Sequence, residues 1–122
     1  MENLILAGTN DTPEVKFNKE SGILFLGGSS LPENVLEVYQ PLVDWLDKYI
    51  TDPNPHTRIE FYFDYLNTAS SHMIMQLMER FLALKDACNE FRMIWYYDKT
   101  DLDMRDFGEE LAELTNYPIE LV

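Results

Sequence analysis

The chain has little of what most catalytic or metal-binding sites require: one cysteine and two histidines among 122 residues. A lone Cys88 excludes an intramolecular disulfide and fits a reducing compartment. It reads as a small, buried apolar residue on a helix rather than a reactive thiol. His56 lies in a proline-rich turn and His72 near a helix start, so no Cys/His or His/His spacing suits zinc. No apolar run approaches the ~20 residues that cross a bilayer. The opening segment, Met1 to Leu6, has no basic region and too short an apolar stretch for a signal peptide. The expected location is therefore the cytoplasm. The patterns G-x-S-x-G, G-x-x-x-x-G-K and G-x-G-x-x-G are all missing. Gly27-Gly28 alone reads as a strand terminator. These absences argue against an enzyme, and predict no catalytic residue, no metal and no cofactor.

Basic residues are also scarce: 9 against 22 acids, a net charge of -13. Such a surface repels phosphate backbones and anionic lipid headgroups, so neither nucleic acid nor membrane is an expected partner. A basic protein partner is attracted, at a rate that falls as salt rises. Seven acids between Asp98 and Glu113 crowd one segment. It lacks the glycine and terminal glutamate that an EF-hand register needs, and reads as a solvated helix face.

What is present suits one ordinary domain spanning residues 1–122. Apolar residues make up 46% of the chain, enough for a real core. Leu4 to Ala7 reads as a short strand. Glu14 to Phe17 and Ile23 to Leu26 flank a loop with Gly22 near its end, which predicts a hairpin. Gly27 to Ser30 is expected to end the second strand, with Ser30 as an N-cap and Pro32 opening a helix. That helix runs to about Ile50, with Val35, Val38, Tyr39, Leu42, Leu46 and Tyr49 at spacings of three and four. Pro41 inside it predicts a kink or restart. Leu36, Val43 and Ile50 form a second line, read as a wide buried stripe or a partner-facing edge.

A turn, Thr51 to His56, precedes a strand from Arg58 to Asp64. The helix beginning near Ser70 carries Ile74, Leu77, Met78, Phe81, Leu84 and Cys88 on one face. Phe91 to Tyr97 is a strand. Asp101 to Leu114 is an acidic helix with Leu102, Phe107, Leu111 and Leu114 as its inner face. Pro118 to Val122 is a terminal strand. A hairpin followed by alternating elements predicts an α/β fold, a mixed sheet with helices packed on it.

The richest stretch is Tyr65-Leu66-Asn67-Thr68-Ala69-Ser70-Ser71, at the junction of a strand and a helix. Its hydroxyls gather where unpaired N–H groups and the helix dipole favour an anion. A phosphate is at home there, bound or attached to a hydroxyl. On the residues alone, Thr68 reads first as a helix N-cap, although Asn67 or Ser70 can fill that role. A Ser–His pair from Ser70, Ser71 and His72 is disfavoured, because neighbours in a helix do not face one another.

With Leu31-Pro32-Glu33-Asn34 before it and Trp95-Tyr96-Tyr97-Asp98 after it, the Y-L-N-T-A-S-S segment resembles the SiaC family of bacterial regulatory phosphoproteins. The likeness runs from Gly8-Thr9-x-x-Thr12-Pro13 to the C-terminus. Ala69 stands where the family commonly has serine, and Leu31 where an aromatic commonly precedes P-E-N. The resemblance implies a STAS-like fold, as in anti-sigma-factor antagonists. It implies Thr68 as the phosphoacceptor of a cognate Ser/Thr kinase, cleared by a PP2C-type phosphatase. It also implies that the unphosphorylated form binds and activates a diguanylate cyclase, raising cyclic di-GMP and favouring biofilm. The contact surface is expected at Tyr65, Leu66, Asn67, Ala69, Ser70 and Ser71. The alternative is a constitutive acidic interaction module in which Thr68 is only a helix cap.

Overall fold

A computed structural model describes all residues, 1–122, as six strands and three helices. The strands are β1 (Leu4–Leu6), β2 (Glu14–Asn18), β3 (Ile23–Ser30), β4 (His56–Leu66), β5 (Glu90–Tyr96) and β6 (Glu120–Leu121). The helices are α1 (Val35–Tyr49), α2 (Thr68–Ala87) and α3 (Leu102–Thr115). One mixed sheet follows chain order, β1-β2-β3-β4-β5-β6. The first three strands pair antiparallel and the rest parallel.

Strand order never reverses, so right-handed crossovers put all three helices on one face. α2 packs between α1 and α3. Alternation in β4 drives this: Thr57, Ile59, Phe61 and Phe63 point into the core, while Tyr62 and Asp64 face outward. Phe61 and Phe63 meet Trp95 of β5, with ring centroids 5.1 and 5.9 Å away. The opposite sheet face is open. It carries the Tyr62–Tyr96 stack and the ion pairs Arg58–Glu60 and Arg92–Glu120.

Several expectations need correction. Gly27-Gly28 does not end a strand. Gly28 has φ +82°, and the β3–β4 register shifts between Gly28 and Ser29 before pairing resumes at Ser29 with Tyr65. The glycine pair makes a bulge, which bends the strand and lets it continue. Ser30 is therefore in the sheet and caps nothing. The cap of α1 is Asn34, whose side chain accepts from the Glu37 amide at 3.2 Å, so Pro32 lies outside the helix. Pro41 neither ends nor restarts α1. It sits on the solvent side, where water can satisfy the Glu37 carbonyl that proline leaves without a donor.

The inner face of α3 is met in part. Leu111 is buried and Phe107 packs against the core as expected, but Leu102 and Leu114 are 55% and 61% exposed, and Met104 and Gly108 are buried in their place. A glycine does not register in a hydrophobic pattern, yet here it lets the helix rest on Trp95. A Cβ on Gly108 would stand 2.6 Å from that indole. In the second line on α1, Leu36 is exposed, whereas Val43 and Ile50 pack against the core. Trp45, absent from the expected stripe, is buried between Phe17 and Tyr49.

Candidate functional site

β4 runs two residues beyond its expected end, so Tyr65 and Leu66 belong to the strand, paired with Ser29 and Ser30. The chain then turns in a single residue, Asn67, and α2 begins at Thr68. Asn67 is extended, with φ -77° and ψ 172°, and its side-chain oxygen accepts from the Ser70 amide at 2.8 Å. It is the N-cap. Its own amide donates to the Ser30 carbonyl at 3.0 Å, tying the turn to β3.

Thr68 therefore is not the cap. It occupies the first helical position, exposed to solvent, and the side-chain hydrogen bonds of this turn are made by Asn67 and Ser70 instead. The reading in which Thr68 serves only to cap α2 loses its basis. A phosphate on this hydroxyl would sit at the positive end of a helix of 20 residues, so the local fold tolerates it.

The six flanking residues divide sharply. Tyr65 is 52% exposed, Ala69 is exposed, and Leu66, Asn67 and Ser71 are half-buried. Ser70 is fully buried, which corrects its expected place on a contact surface. Its hydroxyl is hydrogen-bonded to that of Ser30 at 2.8 Å, and Ser30 in turn to the Tyr39 phenol at 2.8 Å. Ser30 and Tyr39 are also fully buried. Burial pushes the Tyr39 phenol above its ordinary 10.0, and the hydroxyls of Ser30 and Ser70 partly offset that rise. The chain Tyr39–Ser30–Ser70 joins α1, β3 and α2 beneath the exposed Thr68. Because Ser70 is engaged with Ser30, no Ser–His pair with His72 forms here.

Beside the turn lies a cleft of about 340 Å³. Tyr65, Leu66 and Ser71 form one side of it, and Met104 and Phe107 of α3 the other, with Asp64, Asp101 and Asp103 at its walls. Asp101 is also the N-cap of α3, accepting from the Met104 amide at 3.0 Å. The carboxylates form no metal cluster: nowhere do three or more His, Cys, Asp or Glu side chains converge on a cation site. Just before α3, hydrogen bonds from the Thr100 hydroxyl and amide hold the Asp98 carboxyl below its ordinary range.

Sequence reasoning missed Ser30, Tyr39 and the α3 side of the cleft. A signal for the first two exists. A tyrosine on an apolar helical stripe brings its hydroxyl inside, and a buried hydroxyl needs a partner. No comparable signal places α3 beside Leu66, because that proximity comes from the parallel β4–β5 pairing.

Comparison with known proteins finds the same fold. An uncharacterized protein of Pseudomonas aeruginosa strain UCBPP-PA14 is 25% identical over 121 residues, covering 99% of this chain and 96% of its own. The crystal structure of apo-SiaC from Pseudomonas aeruginosa superposes with a TM-score of 0.89 at 25% identity, covering 99% of this chain and 98% of that one. The crystal structure of the diguanylate cyclase SiaD in complex with its activator SiaC, from the same organism, contains a chain that matches with a TM-score of 0.83 at 26% identity, over 97% of each. Residues 6–122 match the family itself, and with nearly the whole fold covered the chain belongs to the SiaC family of regulatory phosphoproteins.

Proposed function

We propose that this protein is a switch acting by binding rather than catalysis, with Thr68 as its phosphoacceptor. A Ser/Thr kinase modifies Thr68 and a PP2C-type phosphatase restores it. The unphosphorylated form binds a diguanylate cyclase in the cytoplasm and activates it, raising cyclic di-GMP. The observation that carries the reading is the position of Thr68: exposed, outside the turn's hydrogen bonds, at a helix start capped by its neighbour. The partner class comes from the relative SiaC, which forms a complex with the cyclase SiaD as its activator.

The physical logic needs no second conformation. A phosphate adds about -1.5 to -2 charges and three acceptor oxygens. A partner packed over Thr68 must then desolvate a dianion, at a cost of several kcal/mol when no cation is prepared for it. That is enough to weaken binding a hundredfold or more.

The test is intact mass and peptide mapping of protein from its own host, with phosphatases inhibited. A gain of one phosphate, ~80 Da, on the peptide containing Thr68 is expected. Cyclase activity is then measured with both forms. Equal activation by the two forms overturns the switch.

A further inference from the structure

We infer that the cleft between the β4–α2 turn and the start of α3 is the docking groove for the partner, and that it takes an apolar side chain flanked by lysine or arginine. The inference rests on the proposed function and specifies the chemistry of its partner. The cleft has an apolar floor from Leu66, Met104 and Phe107. At its edge stands Tyr65, 52% exposed. A large apolar side chain held half in water beside an apolar-floored cavity matches the anchor-and-pocket form of protein interfaces.

Charge selects the occupant. Asp64, Asp101 and Asp103 line the same cleft, and no lysine, arginine or histidine does. An acidic or purely apolar segment would leave these carboxylates desolvated without partners, whereas flanking cations pair with them. Thr68 belongs to the same turn, between Leu66 and Ser71, which both face the cleft. The carboxylates stand on both sides of the cleft, Asp64 on β4 and Asp101 and Asp103 at the start of α3, so they engage the occupant's cations. A phosphate on Thr68 finds no cation in the groove's own lining, and the partner's cations are already engaged by the carboxylates.

The experiment is titration calorimetry of the unphosphorylated protein against the full-length diguanylate cyclase of the same host, at low and high salt. Three variants are compared with wild type: Asp64→Lys with Asp103→Lys, Tyr65→Ala, and a control, Glu20→Lys with Asp86→Lys. The control makes the same charge change at the opposite end of the molecule, on exposed positions. All substituted residues except Tyr65 are exposed charges, and circular dichroism verifies each fold. The groove variants are expected to weaken binding by at least about tenfold, the scale of a lost hot spot. The control is expected to stay within about twofold, as remote screened charges do. If wild type binds and activates the cyclase but the groove variants bind as it does, or the two charge pairs weaken binding equally, the groove is refuted and the proposed function stands. If unphosphorylated wild type neither binds nor activates the cyclase, the proposed function falls and the groove falls with it.

Discussion

The hydroxyls of Ser30 and Ser70 lie 2.8 Å apart in the core, forty residues distant in the chain. One ends β3 and the other sits in the first turn of α2, directly below the exposed Thr68. The surface of this turn is thus free to change chemically while its underside is fixed.

Removing that underside should be costly. Ser30→Ala leaves both Tyr39 and Ser70 short of a partner in a dry site, and a loss of about 1–3 kcal/mol is expected. Ser70→Ala breaks one bond only and should cost less. Urea unfolding of both variants checks the ranking.

The cap and the phosphoacceptor separate cleanly. Asn67→Ala should lower stability by about 1 kcal/mol, because the Ser70 amide loses its acceptor. Thr68→Ala should leave stability within about 0.5 kcal/mol, as exposed substitutions do, yet abolish phosphorylation. Thermal melts paired with a kinase assay read both effects.

A glutamate at Thr68 is a partial mimic. It carries one charge where phosphothreonine carries nearly two. Thr68→Glu should therefore activate the cyclase to a level between those of the unmodified and phosphorylated proteins. Activation indistinguishable from the unmodified protein would count against charge as the blocking element.

Alkaline stability should depend on two buried tyrosines. Burial raises the phenols of Tyr39 and Tyr49 above 10.0 in the folded state. The neutral form is the one the fold prefers, so stability is intact below the unfolded-state value near 10 and declines as pH climbs through the raised folded values. Tyr49→Phe should flatten that decline, seen by denaturation at pH 8 and pH 11.

Gly108→Ala tests the seat of α3. The added methyl would meet Trp95 at 2.6 Å and Leu121 at 2.8 Å. The Trp95 indole is held by its N–H, which donates to the Met104 carbonyl at 3.0 Å, so it cannot swing away freely. A loss of about 1–3 kcal/mol is expected, with a shift in tryptophan fluorescence.

The hydrophobic periods of α1 and α2 and the alternation of β4 were legible because each follows from one element's own geometry. The chain order of elements was legible for the same reason. What escaped was set by neighbours. The Gly27-Gly28 pair breaks a strand in isolation, but a parallel partner in β4 absorbs the extra residue as a bulge. Ser70 looks like a surface hydroxyl among hydroxyls until the helix phase turns it inward beside Ser30. Leu102 and Leu114 look like core beside Phe107 and Leu111 until Gly108 seats α3 on Trp95 by a face that leaves them out. At the junction, the hydroxyl-rich turn was visible, while the division between exposed Thr68 and buried Ser70 required the register of α2.

The sequential order of the strands also bears on how the protein is made. Each strand pairs with the one synthesised just before it, so the sheet can grow from one side as the chain is extended, without closing large loops between distant strands. Until the last pairing forms, the bare edge of β5 is open to any extended chain nearby. β6 closes it with only two residues, helped by the Arg92–Glu120 ion pair. Losing that clasp would uncover the β5 edge at Ile94 and Trp95 while leaving the rest of the sheet paired, so its cost should appear as aggregation during synthesis rather than in the melting of the finished fold.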